Sequence, residues 1–191
     1  MIGARFLRDP VGNGAAVVVL LAMAAALAAV ATSVFGRTGR LPATPTWIVP
    51  ALAVLGLGVA AYLSFVEVSG TRAVCGPVGD CNTVQQSAYA RLFGVLPVGV
   101  AGVAGYAAML AAWLLGRFGR GNAARVGRVA LWSLALAATL FSIYLTFLEP
   151  FVIGATCLWC LSSAVISTLL LLVATPVAAG DLRAVLPRHT P

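Results

Sequence analysis

Five stretches of this chain are almost free of polar residues. They run over about Gly14–Phe35, Trp47–Val68, Val95–Leu115, Val129–Leu148 and Cys157–Val177. Each is close to the roughly 20 residues a helix needs to cross a hydrocarbon core. Polar or turn-rich segments separate them: Arg37–Pro45 with its Gly and Pro, the long stretch Ser69–Arg91, the basic link Arg117–Arg128, the short link Pro150–Thr156, and a polar tail. The pattern predicts an all-α membrane protein with five transmembrane helices.

Composition agrees with the pattern. Of 191 residues, 61% are hydrophobic and 9% are charged, where a soluble domain carries about 25% charged residues. The net charge of +7 comes from twelve basic residues, all of them arginine. They gather in short groups at the ends of the apolar blocks instead of forming one patch. Head-group contact and membrane orientation explain that placement, and no nucleic-acid partner is expected. With five spans, Arg37, Arg40, Arg117, Arg120, Arg125, Arg128, Arg183 and Arg188 share one side, against Arg5, Arg8, Arg72 and Arg91 on the other. The richer side is cytoplasmic by the positive-inside rule. The first block also resembles a signal peptide, with small residues near Ala29–Ala31. Cleavage there would place the cysteines inside, against the arginine count, so a retained helix is expected.

The candidate chemistry is four cysteines in two pairs, both on the side predicted to be extracytoplasmic. Cys75 and Cys81 lie in the loop sequence VCGPVGDC; Cys157 and Cys160 form a CxxC at the start of the fifth span. Thiols concentrated on an oxidising face imply disulfide chemistry. Structural disulfides, a zinc site and a thiol-exchange relay all use such residues. Zinc is the weakest reading, because the C-x5-C spacing is loose and the single histidine, His189, lies in the tail. CxxC closes too short a ring to be a good staple, while helix-start N–H groups favour thiolate at Cys157. Gly76–Asp80 suits a mobile loop, and Asn82–Phe93 could form a short helix on the membrane surface. Glu149, at the outer edge of the fourth span, could orient the CxxC segment or supply a proton, and Glu67 holds the same position on the second span; the simpler expectation for both is that they face water. Gly99, Gly102 and Gly105 are expected to allow close helix contact.

The order and spacing of these residues resemble the vitamin K epoxide reductase family, in its bacterial branch. The matching text is CGPVGDCNTVQQSAYARLFGVLPVGVAG and then LFSIYLTFLEPFVIGATCLWC. It combines a loop cysteine pair, a serine six residues on, and CxxC opening the last span. The resemblance covers about Trp47–Thr175. It implies an N-terminal extra helix and linker over 1–45, a four-helix quinone-binding bundle over 46–178 capped by an outer loop and short helix, and a cytoplasmic tail over 179–191.

By position, Cys157 and Cys160 resemble the family's active pair, with Cys160 nearest the quinone. Cys75 and Cys81 resemble its shuttle pair, and Ser87 the serine at the mouth of the site. The resemblance implies an enzyme that oxidises a thioredoxin-fold (DsbA-like) thiol partner and passes electrons to a membrane quinone, menaquinone or ubiquinone, with no metal. It places the protein in the bacterial inner membrane, in contact with lipid and quinone. The chain ends soon after the fifth span, so the partner is expected to be a separate protein. Ala164 stands where vertebrate members carry a quinone-binding tyrosine, and no clear asparagine stands near the third span. Trp159, Phe141, Tyr144, Phe147 and Phe151 are the aromatic candidates for the quinone pocket.

Overall fold

A computed structural model describes residues 5–36, 41–42, 45, 47–76, 79–92 and 94–185. Arg37, Arg40, Arg188 and His189 lie outside the described residues. Among the described residues five helices are long and apolar enough to cross a membrane, and the chain is an all-α, multi-pass membrane protein. They are α1 (Pro10–Phe35), α2 (Ile48–Ser69), α4 (Val98–Phe118), α5 (Asn122–Leu148) and α6 (Leu158–Val185). Helix α6 continues seven residues into the segment expected to be tail, through an internal Pro176. Thr175 lies just before that proline; its hydroxyl donates to Leu171 O at 2.7 Å and accepts from Trp132 Nε1 at 3.1 Å.

Helices α2, α4, α5 and α6 form a closed ring in which each packs on two neighbours. Helix α1 lies outside the ring, against α6 and α5. Val49, Ala53, Met109, Ala135, Leu170 and Leu171 are among the buried core residues, while Val18, Leu21, Leu55, Phe65 and Leu140 stand exposed on the outside. Large apolar side chains facing outward at such density suit a lipid surrounding, where backbone polar groups must be satisfied within each helix.

Small residues set the tight crossings. A Cβ on Gly99 would lie 2.5 Å from Ser64 N, and one on Gly102 would lie 3.0 Å from the Ala60 Cβ, so α4 runs close against α2 at these positions. Gly105 differs from its expected contact role: nothing lies within 4 Å of its Cβ position. It borders a cavity instead.

The segment between α2 and α4 forms less helix than expected. Helix α3 covers only Cys81–Gln85, capped by Asp80, whose side chain accepts from Thr83 N. Hydrogen bonds from Thr83 hold the Asp80 carboxyl below the usual carboxylate range. The Ser87 hydroxyl bonds back to Val84 O at 2.7 Å, competing with helix continuation. A single 3₁₀ turn at Ala88–Ala90 follows. A two-residue hairpin, β1 (Arg91–Leu92) with β2 (Leu96–Pro97), then turns the chain into α4.

Candidate functional site

The link from α5 to α6 builds one half of the site. Helix α5 runs into a π-helical turn, Glu149–Ile153, and Gly154 reverses the chain at φ 78°. Glu149 O accepts from Gly154 N at 2.7 Å and from Ala155 N at 3.2 Å. Cys157 follows at the start of α6, fully buried, with Cys160 half-buried one turn on; both are free thiols. Cys157 Sγ accepts from Cys160 N at 3.4 Å. Helix-start donors thus favour thiolate at this sulfur.

The loop pair forms the other half. Cys75 and Cys81 are joined in a disulfide with Cα atoms 6.0 Å apart. Cys81 N donates to Cys75 Sγ at 3.1 Å, and the Asn82 amide grips the backbone of Ala73 in both directions, at 2.8 and 3.3 Å. Two side chains tie this loop to the bundle. Val74 N donates to the Tyr62 hydroxyl at 2.8 Å, and Trp159 Nε1 donates to Val74 O at 2.9 Å. The Tyr62 and Trp159 rings themselves meet at 4.5 Å. Asp80 N reaches Thr156 O at 2.9 Å, directly before the CxxC. Both cysteine pairs therefore sit at one end of the bundle, in a single apolar cluster with Leu63, Val66, Val84 and Ala155.

Below Cys160 lies an apolar cavity of about 350 Å³ among α2, α4, α5 and α6. That size suits a small-molecule head group. Its wall on α5 is Leu134, Ala137, Ala138, Phe141, Ser142, Leu145 and Thr146, at helical spacing of three and four. Of the five aromatic candidates, Phe141 lines this cavity and the others do not. Tyr144 and Phe147 fall between the lining positions of α5 and are 52% and 50% exposed on the outside. Phe151 stacks on Phe147 at 4.9 Å, and Trp159 is engaged with the loop.

Three placements depart from the simplest expectation or were missed by it. Tyr106 is a phenol at the cavity, buried at 4%, with its hydroxyl against Ser163 O at 3.1 Å and Ser163 Oγ at 3.0 Å. Its ring lies where a side chain on Gly56 would be, so that glycine makes its slot. Glu149 does not face water: it is 2% exposed, and its carboxylate accepts from Cys157 N at 3.3 Å. Glu67 is half-buried and accepts from Gly99 N at 2.7 Å. Burying these carboxyls satisfies two backbone donors at the top of the bundle. Glu67, Gln85, Ser87, Glu149 and Cys160 line a second, small cavity of about 40 Å³. Among the described residues no three His, Cys, Asp or Glu side chains gather to hold a metal ion.

Helix α1 also touches the site. Asn13 is fully buried; its Oδ1 accepts from Thr156 Oγ1 at 2.9 Å and its Nδ2 donates to Phe6 O at 2.9 Å. Arg5 donates to Val152 O at 2.9 Å. The outer helix thus fastens the segment that presents Cys157. Asn13→Leu strands the buried Thr156 hydroxyl, which costs about 1–3 kcal/mol. The expected result is a lower unfolding temperature in detergent together with faster alkylation of Cys157; no change in either would remove this fastening role.

Comparison with known proteins agrees with this geometry. The chain is 36% identical to the thiol-disulfide oxidoreductase LTO1 of Arabidopsis thaliana, over 56% of this chain and 30% of that protein. It thus spans under a third of that relative's length. Residues 47–175, which hold α2 through most of α6 and all four cysteines, match the vitamin K epoxide reductase family. The chain belongs to the vitamin K epoxide reductase family.

Proposed function

We propose that this protein is a membrane thiol-disulfide oxidoreductase that takes electrons from a thioredoxin-fold (DsbA-like) partner and delivers them to a membrane quinone. The observation that carries this reading is the position of Cys160. It borders the 350 Å³ apolar cavity and belongs to the cluster that holds the loop disulfide.

The exchange runs in three balanced steps. A partner thiolate attacks Cys81 of the loop disulfide, and Cys75 leaves as thiolate. The partner's second thiol resolves the mixed disulfide, so the partner leaves oxidised and the loop leaves as a dithiol. Cys75 then attacks Cys157 of a Cys157–Cys160 disulfide, releasing the Cys160 thiolate, and Cys81 resolves that bond to restore the loop disulfide. The CxxC dithiol is finally reoxidised: two electrons and two protons pass to the quinone, which leaves as quinol. The bundle's part is to hold the quinone beside Cys160 and keep water away. Phe141 and Leu145 offer apolar surface, and the Tyr106 and Ser163 hydroxyls are donors for a quinone carbonyl where Ala164 offers none. Ser87, at the small cavity, holds the end of α3 beside Cys160. The cysteine end faces the extracytoplasmic side of a bacterial cell membrane in this reading, supported by the arginine asymmetry.

Anaerobic turnover in detergent tests the proposal. The purified protein is given a reduced thioredoxin-fold donor and either a menaquinone or a ubiquinone, and quinol is followed by absorbance. One quinol per donor disulfide is expected. No quinol from either acceptor, with the loop disulfide still exchanging, would reject quinone dependence.

A further inference from the structure

The reaction above must dispose of protons, and one of its two sulfurs is out of reach of water. Oxidising the CxxC breaks two S–H bonds, forms one S–S bond, and sends an electron pair and two protons to the acceptor. Cys157 has no exposed surface. Its proton needs an acceptor inside the protein.

The structure offers one. Glu149 is 2% exposed, and its carboxylate lies against Cys157 N at 3.3 Å. No cation forms an ion pair with it among the described residues; the ion pairs there involve Asp181 with Arg125 and Arg128, and both arginines stand at the start of α5, far along that helix from Glu149. A carboxylate kept unpaired in an apolar interior is costly. A fold keeps it more readily where it exchanges a proton. Glu149 and Cys160 share the lining of the small cavity, with Glu67 also on its wall. Leu63, Val98, Leu145 and Cys160 line both this cavity and the large one, so the two adjoin beside Cys160. Glu67 in turn accepts from Gly99 N, and Gly99 is on the wall of the large cavity.

We infer that Glu149 is the proton acceptor for the CxxC dithiol, and that the small cavity between Glu149 and Glu67 is the route by which thiol protons reach the acceptor side of Cys160. In this step the Cys157 S–H bond breaks and its proton passes to the Glu149 carboxylate. The Cys157 sulfur bonds to the Cys160 sulfur as the Cys160 S–H bond breaks, its electron pair and its proton passing to the quinone. The Glu149 acid then gives up its proton by way of Glu67, so that the quinol gains both dithiol protons and Glu149 returns to carboxylate. This inference rests on the quinone reading proposed above.

The pre-reduced wild type and three variants, Glu149→Gln, Glu149→Asp and Glu67→Gln, are mixed anaerobically with a short-chain ubiquinone, and quinol formed in the first turnover is timed. Reduction of the Cys75–Cys81 disulfide by dithiothreitol and the unfolding temperature are measured on the same samples. Glutamine still accepts the Cys157 N–H bond but cannot take up a proton. Glu149→Gln is therefore expected to slow quinol formation by about 100-fold or more, with loop reduction and unfolding temperature unchanged. Glu149→Asp is expected to recover a large part of the rate, and Glu67→Gln to give a smaller loss. A purely structural Glu149 would leave the Gln variant at the wild-type rate, and that outcome overturns the inference alone. A wild type that forms no quinol overturns the quinone reading, and the inference with it.

Discussion

Replacing Cys160 with alanine is expected to reduce quinone-dependent oxidation of a dithiol donor by on the order of 10³-fold or more, as loss of a covalent nucleophile does. Cys157 is fully buried behind Cys160, and Cys160 is the thiol on the wall of the large cavity. With alanine there, no Cys157–Cys160 disulfide can form, so electrons entering through the loop pair go no further and Cys75 and Cys81 accumulate as a dithiol, read by thiol alkylation. In Cys81→Ser, by contrast, Cys75 attacks an intact Cys157–Cys160 disulfide and no loop thiol resolves the product, so a Cys75–Cys157 cross-link should accumulate and be visible by mass spectrometry of non-reduced peptides. The loop is already positioned for this bond by Asp80 N on Thr156 O and Trp159 Nε1 on Val74 O. The competing view, two disulfides that merely staple the outer end, predicts a different outcome. A three-residue ring constrains the unfolded chain weakly, so its loss would leave both stability and any transport or assembly role nearly intact. Turnover above a tenth of the wild-type rate in Cys160→Ala would sink the relay.

The spans were legible because a bilayer imposes their length: roughly 20 apolar residues leave few alternatives. The two cysteine pairs were legible because their position between spans brings them to one end. Finer features depend on rotation about each helix axis. Phe141 and Tyr144 are both aromatic and near one another, yet only Phe141 falls in the lining series of α5. The apolar character of both faces, one toward the cavity and one toward lipid, hides that phase in the sequence. Tyr106 had a readable signal, a lone phenol on the helix carrying Gly99, Gly102 and Gly105. What it lacked was the slot made by Gly56, which lies on another helix. The burial of Glu149 follows from the π-helical turn and from the Cys157 N–H that needs an acceptor, neither of which leaves a periodic trace. Asn13 meets Thr156 across 143 positions of sequence. Nothing local in a small polar residue near the start of an apolar helix announces such a partner.

Gly105→Phe is expected to lower kcat/KM for the quinone by about 100-fold, mainly through KM, while leaving the protein folded. Adding bulk to a packed helix crossing costs stability, and at Gly99 it would do so, because Ser64 N lies 2.5 Å from the added Cβ. Gly105 is the opposite case. Its Cβ position has nothing within 4 Å, yet it borders the same cavity as Tyr106, Met109 and Cys160. A phenylalanine there grows into space that the quinone reading assigns to the acceptor, and it replaces glycine inside a helix, where glycine is a poorer helix former than phenylalanine by about 0.5 kcal/mol. Fold stability should be held or raised as acceptor binding falls. Differential loss of this kind separates a working pocket from a packing defect, since a defect lowers both together. The thiol half-reaction supplies the control: dithiothreitol should reduce the Cys75–Cys81 disulfide at the wild-type rate, because among the described residues the hydrogen bonds that hold that loop come from Tyr62, Trp159, Thr156 and Asn82, none of which lines the cavity. A Gly105→Phe protein that unfolds at the wild-type temperature or above and still turns over quinone with an unchanged KM would show that the acceptor binds elsewhere.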